Sequence, residues 1–256
     1  MSRDRLAAAA GVGVLAGFLS GLFGVGGGIL IVPGLVVLLR MEQRLAHGTS
    51  LAAILPVAAS GVLGFALEDA VDWAAGGLII VGAVVGAVLG ARLLGRLPGR
   101  TLRYVFGAFL AATAIRLLIS APTEAGRGPL DVWLAAGLVA IGLVSGTVAG
   151  LLGVGGGVII IPMLAVLFGV PDVVAKGTSL LVIIPTAVSG TVVNRRRGNV
   201  DLRLAVAVGL FGAGAAFGGS RLATGLGPHL SSVLFAVLLL LVAIRLLIGR
   251  GAPGPG

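Results

Sequence analysis

Residues 17–33 have the sequence GFLSGLFGVGGGILIVP, and residues 146–162 have the closely related sequence GTVAGLLGVGGGVIIIP. The two stretches lie 129 positions apart (146 − 17) and match at 10 of 17 positions without a gap. The same offset relates residues 47–61 to residues 176–190, which match at 9 of 15 positions. An internal duplication of apolar, glycine-interrupted segments is typical of membrane transporters whose substrate site lies between two repeats.

The composition excludes a soluble globular domain. Hydrophobic residues make up 58% of the 256 residues and charged residues only 11%, with a mean hydropathy of +1.17. A soluble domain carries about 25% charged residues. Several charge-free stretches, such as residues 132–171, reach the roughly 20 residues needed to cross a bilayer as a helix. The sequence therefore predicts an all-α, polytopic integral membrane protein.

The net charge of +9 favours a lipid partner over nucleic acid. The arginines cluster at the ends of apolar segments, as in Arg195–Arg197, where such residues meet lipid headgroups and set orientation. No basic surface interleaved with aromatic residues supports nucleic-acid binding. We therefore expect membrane lipid, and not nucleic acid, to be the partner of these basic residues.

Each repeat contains four apolar blocks, so the sequence predicts about eight transmembrane helices in two homologous four-segment repeats. Four glycines within five residues would destabilise a continuous helix, and the first block of each repeat is therefore expected to be broken or re-entrant. The predicted units are a first repeat at 1–121, a linker at 122–131, a second repeat at 132–248 and a disordered tail at 249–256.

The two glycine clusters are the first candidates for a substrate site. Non-helical backbone at membrane depth survives only where protein buries it or where it lines a watery cavity. A helix that starts there offers free N–H groups and its positive dipole end to an anion. Close packing of helices through small residues is the alternative. The candidate ligands are Gly24, Gly26, Gly27 and Gly28, with Gly153, Gly155, Gly156 and Gly157 in the second repeat.

Paired hydroxyl groups open the second block of both repeats, at Thr49 and Ser50 and at Thr178 and Ser179. Hydroxyls at a helix start either cap the helix or donate to an oxyanion, and both roles stay open. Lys176 precedes the second pair and is either a headgroup anchor or an anion ligand.

Prolines mark candidate gates or kinks. Pro33 and Pro162 follow the two glycine clusters and are expected to weaken the helices that they end. Pro56 and Pro185 lie inside the second blocks, where proline frees a carbonyl group and kinks a helix. Static packing accounts for the same residues equally well.

No pattern predicts an enzyme, a cofactor or a metal site. A P-loop needs Gly-Lys-Ser/Thr, whereas Lys176 precedes its glycine, and the dinucleotide fingerprint fails because residue 29 is isoleucine. The chain has no cysteine. No His, Asp and Glu grouping has the spacing of metal ligands, and no nucleophile–base pair stands out.

These motifs resemble the sulfite exporter TauE/SafE family. The paired signatures at 17–33 and 146–162, the Gly-Thr-Ser-Leu motifs and the Pro…Ser-Gly motifs at 56–61 and 185–190 carry the resemblance. The resemblance implies a permease for small sulfur-containing or organic anions such as sulfite, sulfoacetate or related sulfonates, located as a multi-pass protein in the bacterial inner (cytoplasmic) membrane. His47 stands where the second repeat has Lys176, which argues against a symmetric pair of cationic ligands.

We therefore expect a secondary transporter of a small anion, working as an exporter, with the glycine turns and the Thr-Ser pairs forming its site. A passive anion channel would share these features, and a non-transporting subunit of a membrane complex would use the glycines for packing alone. The sequence leaves a homo-oligomer open.

Overall fold

The computed structural model describes residues 3–93, 99–119, 128–152 and 156–248. Over these ranges the chain folds into ten α-helices. The predicted linker falls largely on residues that the structure does not describe, and the predicted tail falls on them entirely. The helices are α1 (Arg3–Phe23), α2 (Gly28–Leu38), α3 (Gln43–Ala66), α4 (Trp73–Leu93), α5 (Gly99–Ile119), α6 (Val132–Leu152), α7 (Gly157–Phe168), α8 (Asp172–Arg196), α9 (Leu202–Gly225) and α10 (Pro228–Ile248).

The first apolar block of each repeat contains two helices. α1 ends at Phe23 and α2 begins at Gly28, so the interruption lies at the glycine cluster, where it was expected. The copy has the same division, with α6 ending at Leu152 and α7 beginning at Gly157. α2 and α7 have 11 and 12 residues, which at 1.5 Å per residue is about half of a 30 Å hydrocarbon layer.

Five of the described helices are long and apolar enough to cross a membrane, namely α1, α3, α6, α8 and α9. The outer surface of the protein is also apolar. Exposed side chains on α4 and α9 include Val81, Val85, Val88, Leu210 and Phe211. An apolar surface of this extent would be a liability in water and suits contact with lipid tails. The fold is that of a polytopic membrane protein.

Glycines bring helices of the two halves into backbone contact. On α1, a methyl group built on Gly17 would lie 2.6 Å from the Cα atom of Gly212 on α9. On α6, a methyl group on Gly146 would lie 2.7 Å from the Cα atom of Ala83 on α4. These two contacts are equivalent under the offset of 129 residues. Small residues let the two backbones come this close. The close approach adds van der Waals and polar contacts between the helices, in place of contacts between each helix and lipid.

The order of contacts along the helices fixes their directions. Gly13 and Gly21 of α1 meet Val208 and Ala216 of α9, so α1 and α9 run parallel.

α3 also runs parallel to α9. Gly209 meets Pro56 of α3, and further along both helices Ser220 meets Gly64.

α3 and α8, by contrast, run antiparallel. Gly61 of α3 faces Leu180, whereas Gly190 of α8 faces Leu51. These two helices occupy equivalent positions in the two halves of the chain.

The backbone contact between α1 and α9 leads to a first prediction. Gly17→Ala places a methyl group against the backbone of Gly212, which cannot move as a side chain would. We expect overpacking to cost about 1–3 kcal/mol and to lower the apparent midpoint of thermal unfolding in detergent. Gly11→Ala, on the same helix with open space around it, is the matched control and should leave the midpoint unchanged or slightly raised. Equal midpoints for the two variants would contradict the tight packing.

Candidate functional site

The first glycine cluster forms a non-helical turn between α1 and α2. Gly24, Gly26 and Gly27 have φ angles of +69°, +78° and +74°, in the left-handed region that a Cβ atom disfavours. Gly27 is the N-cap of α2, and residues 24–28 are all buried. The first N–H groups of α2 have no acceptor within their own helix, so the turn presents backbone donors and a positive dipole end inside the protein.

The described part of the second cluster repeats this geometry. Gly156 has a φ angle of +75° and is the N-cap of α7, which begins at Gly157. Both glycines are buried. Gly153 and Gly155, which were predicted as ligands with them, lie outside the described residues.

The two turns lie next to each other against α8. A methyl group on Gly157 would lie 3.0 Å from the carbonyl oxygen of Gly24. Methyl groups on Gly26 and on Gly157 would each lie 2.9 Å from the Cδ1 atom of Ile183, near the middle of α8. The fold therefore brings together glycines that are 129 residues apart or more in sequence, with the N-termini of two short helices beside them.

The threonines of the Thr-Ser pairs join the two halves and do not cap helices. α3 begins at Gln43 and α8 at Asp172, so both threonines lie well inside their helices and the N-cap interpretation is wrong. Thr178 Oγ1 accepts a hydrogen bond of 2.9 Å from the backbone N–H of Asp72. Thr49 Oγ1 accepts the equivalent bond of 3.0 Å from Asp201.

The serines of these pairs differ in their partners. Ser179 Oγ donates a hydrogen bond of 2.9 Å to the carbonyl oxygen of Gly24 and so holds the first glycine turn. Ser50 is buried, and its hydroxyl has no hydrogen-bond partner among the described residues. The same is true of Ser20, whose Cβ atom would lie 3.4 Å from a methyl group on Gly27. An unpaired buried hydroxyl is costly, and it is a donor that a ligand could use.

Lys176 is buried beside the first glycine turn, and its ammonium group is already paired. Its Nζ atom lies 2.6 Å from Oδ2 of Asp172 and donates a 2.7 Å hydrogen bond to Oγ of Ser231. The rings of Phe23 and Phe235 lie 5.9 and 5.4 Å from Nζ. Because its side chain is only 1% exposed, Lys176 is not a headgroup anchor.

All four candidate prolines lie inside helices. Pro33 and Pro162 do not end α2 and α7, which continue to Leu38 and Phe168, so that part of the expectation is wrong. A proline in the middle of a helix removes a single backbone hydrogen bond, and neighbouring groups in a packed membrane protein can bond the carbonyl group that it frees. Pro56 and Pro185 lie in the interiors of α3 and α8. Their role as gates or kinks stays a prediction.

Sequence reasoning missed Ser20, Asp172 and Ser231. A comparison of the repeats does not find them, because the equivalent positions 149, 43 and 102 hold alanine, glutamine and leucine. The spacing of Asp172 and Lys176 was the available signal, since residues four apart on a helix lie side by side.

The bond between Thr178 and Asp72 can be tested directly. Thr178→Val keeps the shape of the side chain but removes the acceptor for the Asp72 N–H. We expect a loss of about 1 kcal/mol or more, seen as a lower unfolding midpoint in detergent, because a buried donor loses its partner. Thr178→Ser, which keeps the hydroxyl, should retain most of the stability. A greater loss in Thr178→Ser, which lacks the methyl group that valine keeps, would show that packing of this methyl group and not the hydrogen bond carries the stability.

The sequence of this chain is similar to those of known membrane transporters. The family model described as "Sulfite exporter TauE/SafE" matches residues 1–117 and 138–255. A "Probable membrane transporter protein YunE" of Bacillus subtilis (strain 168) is 28% identical over 231 residues, which cover 81% of this chain and 84% of the relative. A "Probable membrane transporter protein" of Xylella fastidiosa (strain 9a5c) is 28% identical over 252 residues, or 95% of each chain. The chain therefore belongs to the sulfite exporter TauE/SafE family of multi-pass membrane transporters.

Proposed function

We propose that this protein is a secondary transporter that exports small sulfur-containing or organic anions, such as sulfite, sulfoacetate or related sulfonates, across the bacterial cytoplasmic membrane. The family description supports the sulfur anion, and the names of the relatives support transport alone. The observation that carries the proposal is the meeting of the two glycine turns against Ile183.

The chemistry of the turns suits an oxyanion. Sulfite and sulfonate oxygens accept hydrogen bonds, and the starts of α2 and α7 supply backbone N–H donors with positive dipole ends. The unpaired hydroxyl of Ser20 adds a donor at the same place. The donors of the turns and of Ser20 are backbone N–H and hydroxyl groups and carry no charge of their own.

Burial of the glycine turns supports a carrier over an open channel. Residues 24–28 and Gly156 and Gly157 are buried in the described structure. An anion would reach them only after one half of the protein moves against the other, as alternating access requires.

We infer that the two repeats are inverted. α1 and α3 both run parallel to α9, so the chain must return across the protein between them, through the first glycine turn and α2. Counted this way a repeat has five helices that alternate in direction, including the short α2, and not the four predicted from its apolar blocks. An odd number inverts the second copy. The antiparallel arrangement of α3 and α8 supports the same conclusion.

The glycines themselves make poor probes of the site. Gly27 and Gly156 have positive φ angles, so alanine at either position would be strained by about 1–2 kcal/mol. Loss of transport in Gly27→Ala would then report folding as readily as binding.

Ser20→Ala is a sharper test of the anion site. It removes a buried hydroxyl that has no partner in the described structure, so stability should stay the same or rise. If the hydroxyl donates to the anion, the KM for radiolabelled sulfite and methanesulfonate in proteoliposomes should increase about 10–100-fold, as expected for a hydrogen bond to a charged group.

Ser60→Ala is the control for this test. The Ser60 hydroxyl donates a 2.7 Å hydrogen bond to the carbonyl oxygen of Ala213, so its loss should lower stability and leave the KM unchanged. Unchanged transport in folded Ser20→Ala would remove Ser20 from the site. Absence of any sulfite or methanesulfonate flux in the folded wild-type protein would overturn the proposed function.

A further inference from the structure

One pair of opposite charges is buried where the glycine turn meets α8 and α10. The side chains of Lys176 and Asp172 are 1% and 6% exposed, and both bond to the hydroxyl of Ser231. Phe23 and Phe235 place aromatic rings beside the ammonium group. This pair has no counterpart in the first repeat, where residues 43 and 47 are glutamine and histidine.

The pair adjoins the proposed anion site. A methyl group on Gly24 would lie 2.6 Å from the Cα atom of Lys176, and Ser179, one turn further along α8, holds the carbonyl group of Gly24. The ammonium group lies 5.9 Å from the ring of Phe23, the residue before Gly24, and its counter-ion is the carboxylate of Asp172. An anion that moves along the first glycine turn towards Phe23 would therefore approach this cation.

The two carboxylate oxygens of Asp172 differ in their partners. Its Oδ2 atom binds Lys176 and Ser231, whereas its Oδ1 atom is buried without a hydrogen-bond partner among the described residues. A buried carboxylate oxygen without a donor is unfavourable, and it leaves a position on Asp172 that none of the described groups fills.

We propose that Lys176 exchanges its counter-ion during transport: a proton binds Asp172, and the substrate anion takes the place of the carboxylate beside the ammonium group. This inference rests on the proposed function. Protonation breaks the ion pair and forms one O–H bond on Asp172, whose hydroxyl can then donate to the anion. Nothing else is oxidised, reduced or transferred.

Charge balance makes the exchange obligatory. The empty site holds one positive and one negative charge, and the loaded site holds Lys176, neutral Asp172 and a monoanion. Both states are electroneutral. An unpaired ammonium group, or a carboxylate and an anion together beside one lysine, would be strongly disfavoured in a buried site. A monoanion should therefore move together with one proton, and the direction follows the combined gradients of the two.

Among the side chains that the structure describes, the other charged groups near this end of the molecule have partners of their own or are exposed. Glu68 pairs with Arg221, and the carboxylate of Asp72 accepts a hydrogen bond of 3.0 Å from the N–H of Ala75 at the start of α4. Asp69 and His229 are exposed. The described part of α7 carries no titratable side chain, and those of α1 lie at its opposite end.

The first measurement uses the wild-type protein in proteoliposomes with an entrapped pH dye. Methanesulfonate is the probe, because it stays a monoanion at every pH used. We expect its entry to acidify the lumen with about one proton per anion, and a pH gradient that is acid outside to drive its accumulation. An imposed potassium diffusion potential should have little effect. Flux that follows the potential without proton movement would overturn the inference while leaving the proposed function intact.

Asp172→Asn then tests whether Asp172 is the residue that binds the transported proton. This variant resembles the protonated state, so exchange of internal for external methanesulfonate should persist, while accumulation driven by the pH gradient should be lost. Glu68→Gln, which removes the carboxylate of an exposed ion pair, is the control and should retain both activities. Proton-driven accumulation in Asp172→Asn at the wild-type level would overturn the assignment.

The double variant Asp172→Asn/Lys176→Gln covers the case in which the single change does not fold. It removes both charges together and leaves no uncompensated ion. We expect a folded protein that loses methanesulfonate exchange at least about tenfold, because the cation that binds the anion is gone. Exchange at the wild-type rate would show that the pair is only structural.

Discussion

Close backbone contact between α1 and α9, and between α6 and α4, is the constraint on which the rest of this structure depends. Each contact joins a helix of one half to a helix of the other, at glycines or alanine where no larger side chain fits. Lipid tails compete with apolar side chains for the same surfaces, so helices inside a membrane gain most where their backbones approach closely. The hydrogen bonds from Asp72 and Asp201 to the two threonines cross between the halves in the same way. As a result neither half is complete alone, and both glycine turns are held where the halves meet.

The main features of the fold could be predicted from the sequence because the glycine clusters and apolar blocks occur in both halves of the duplication. The membrane class and the break at the glycine cluster follow from composition and from four glycines in five residues. α3 and α8 begin at Gln43 and Asp172, before the Thr-Ser pairs that were expected to open them, because charge-free blocks leave out these polar first turns. That error turned Thr49 and Thr178 into apparent caps. The packing of α1 against α9 could not be predicted, since glycines suitable for close contact occur on most of the helices.

The candidate site was predictable only as far as it is symmetric. Comparing the repeats finds the glycines and the Thr-Ser pairs, but it cannot find Ser20 or Asp172, whose counterparts are different residues. In a protein with two similar halves, such differences are informative. Residues shared by both halves build the common scaffold, whereas a charge or hydroxyl group present in only one half makes the two sides of the site chemically different. Lys176 illustrates the point. From the sequence it was either a headgroup anchor or an anion ligand, whereas in the structure it forms a buried ion pair with Asp172, four residues earlier.

The pairing of α1 with α9 also has a consequence for how the protein is made. Ribosomes add about 5–20 residues per second, and α9 begins at Leu202, far behind the end of α1 at Phe23. α1 therefore waits on the order of ten to forty seconds for its partner, whereas α4 meets α6 within on the order of two to eight seconds. During that interval Gly13, Gly17 and Gly21 of α1 lack the helix that they contact in the folded protein. Until α9 is made, α1 therefore depends on temporary neighbours, whether lipids or the insertion machinery.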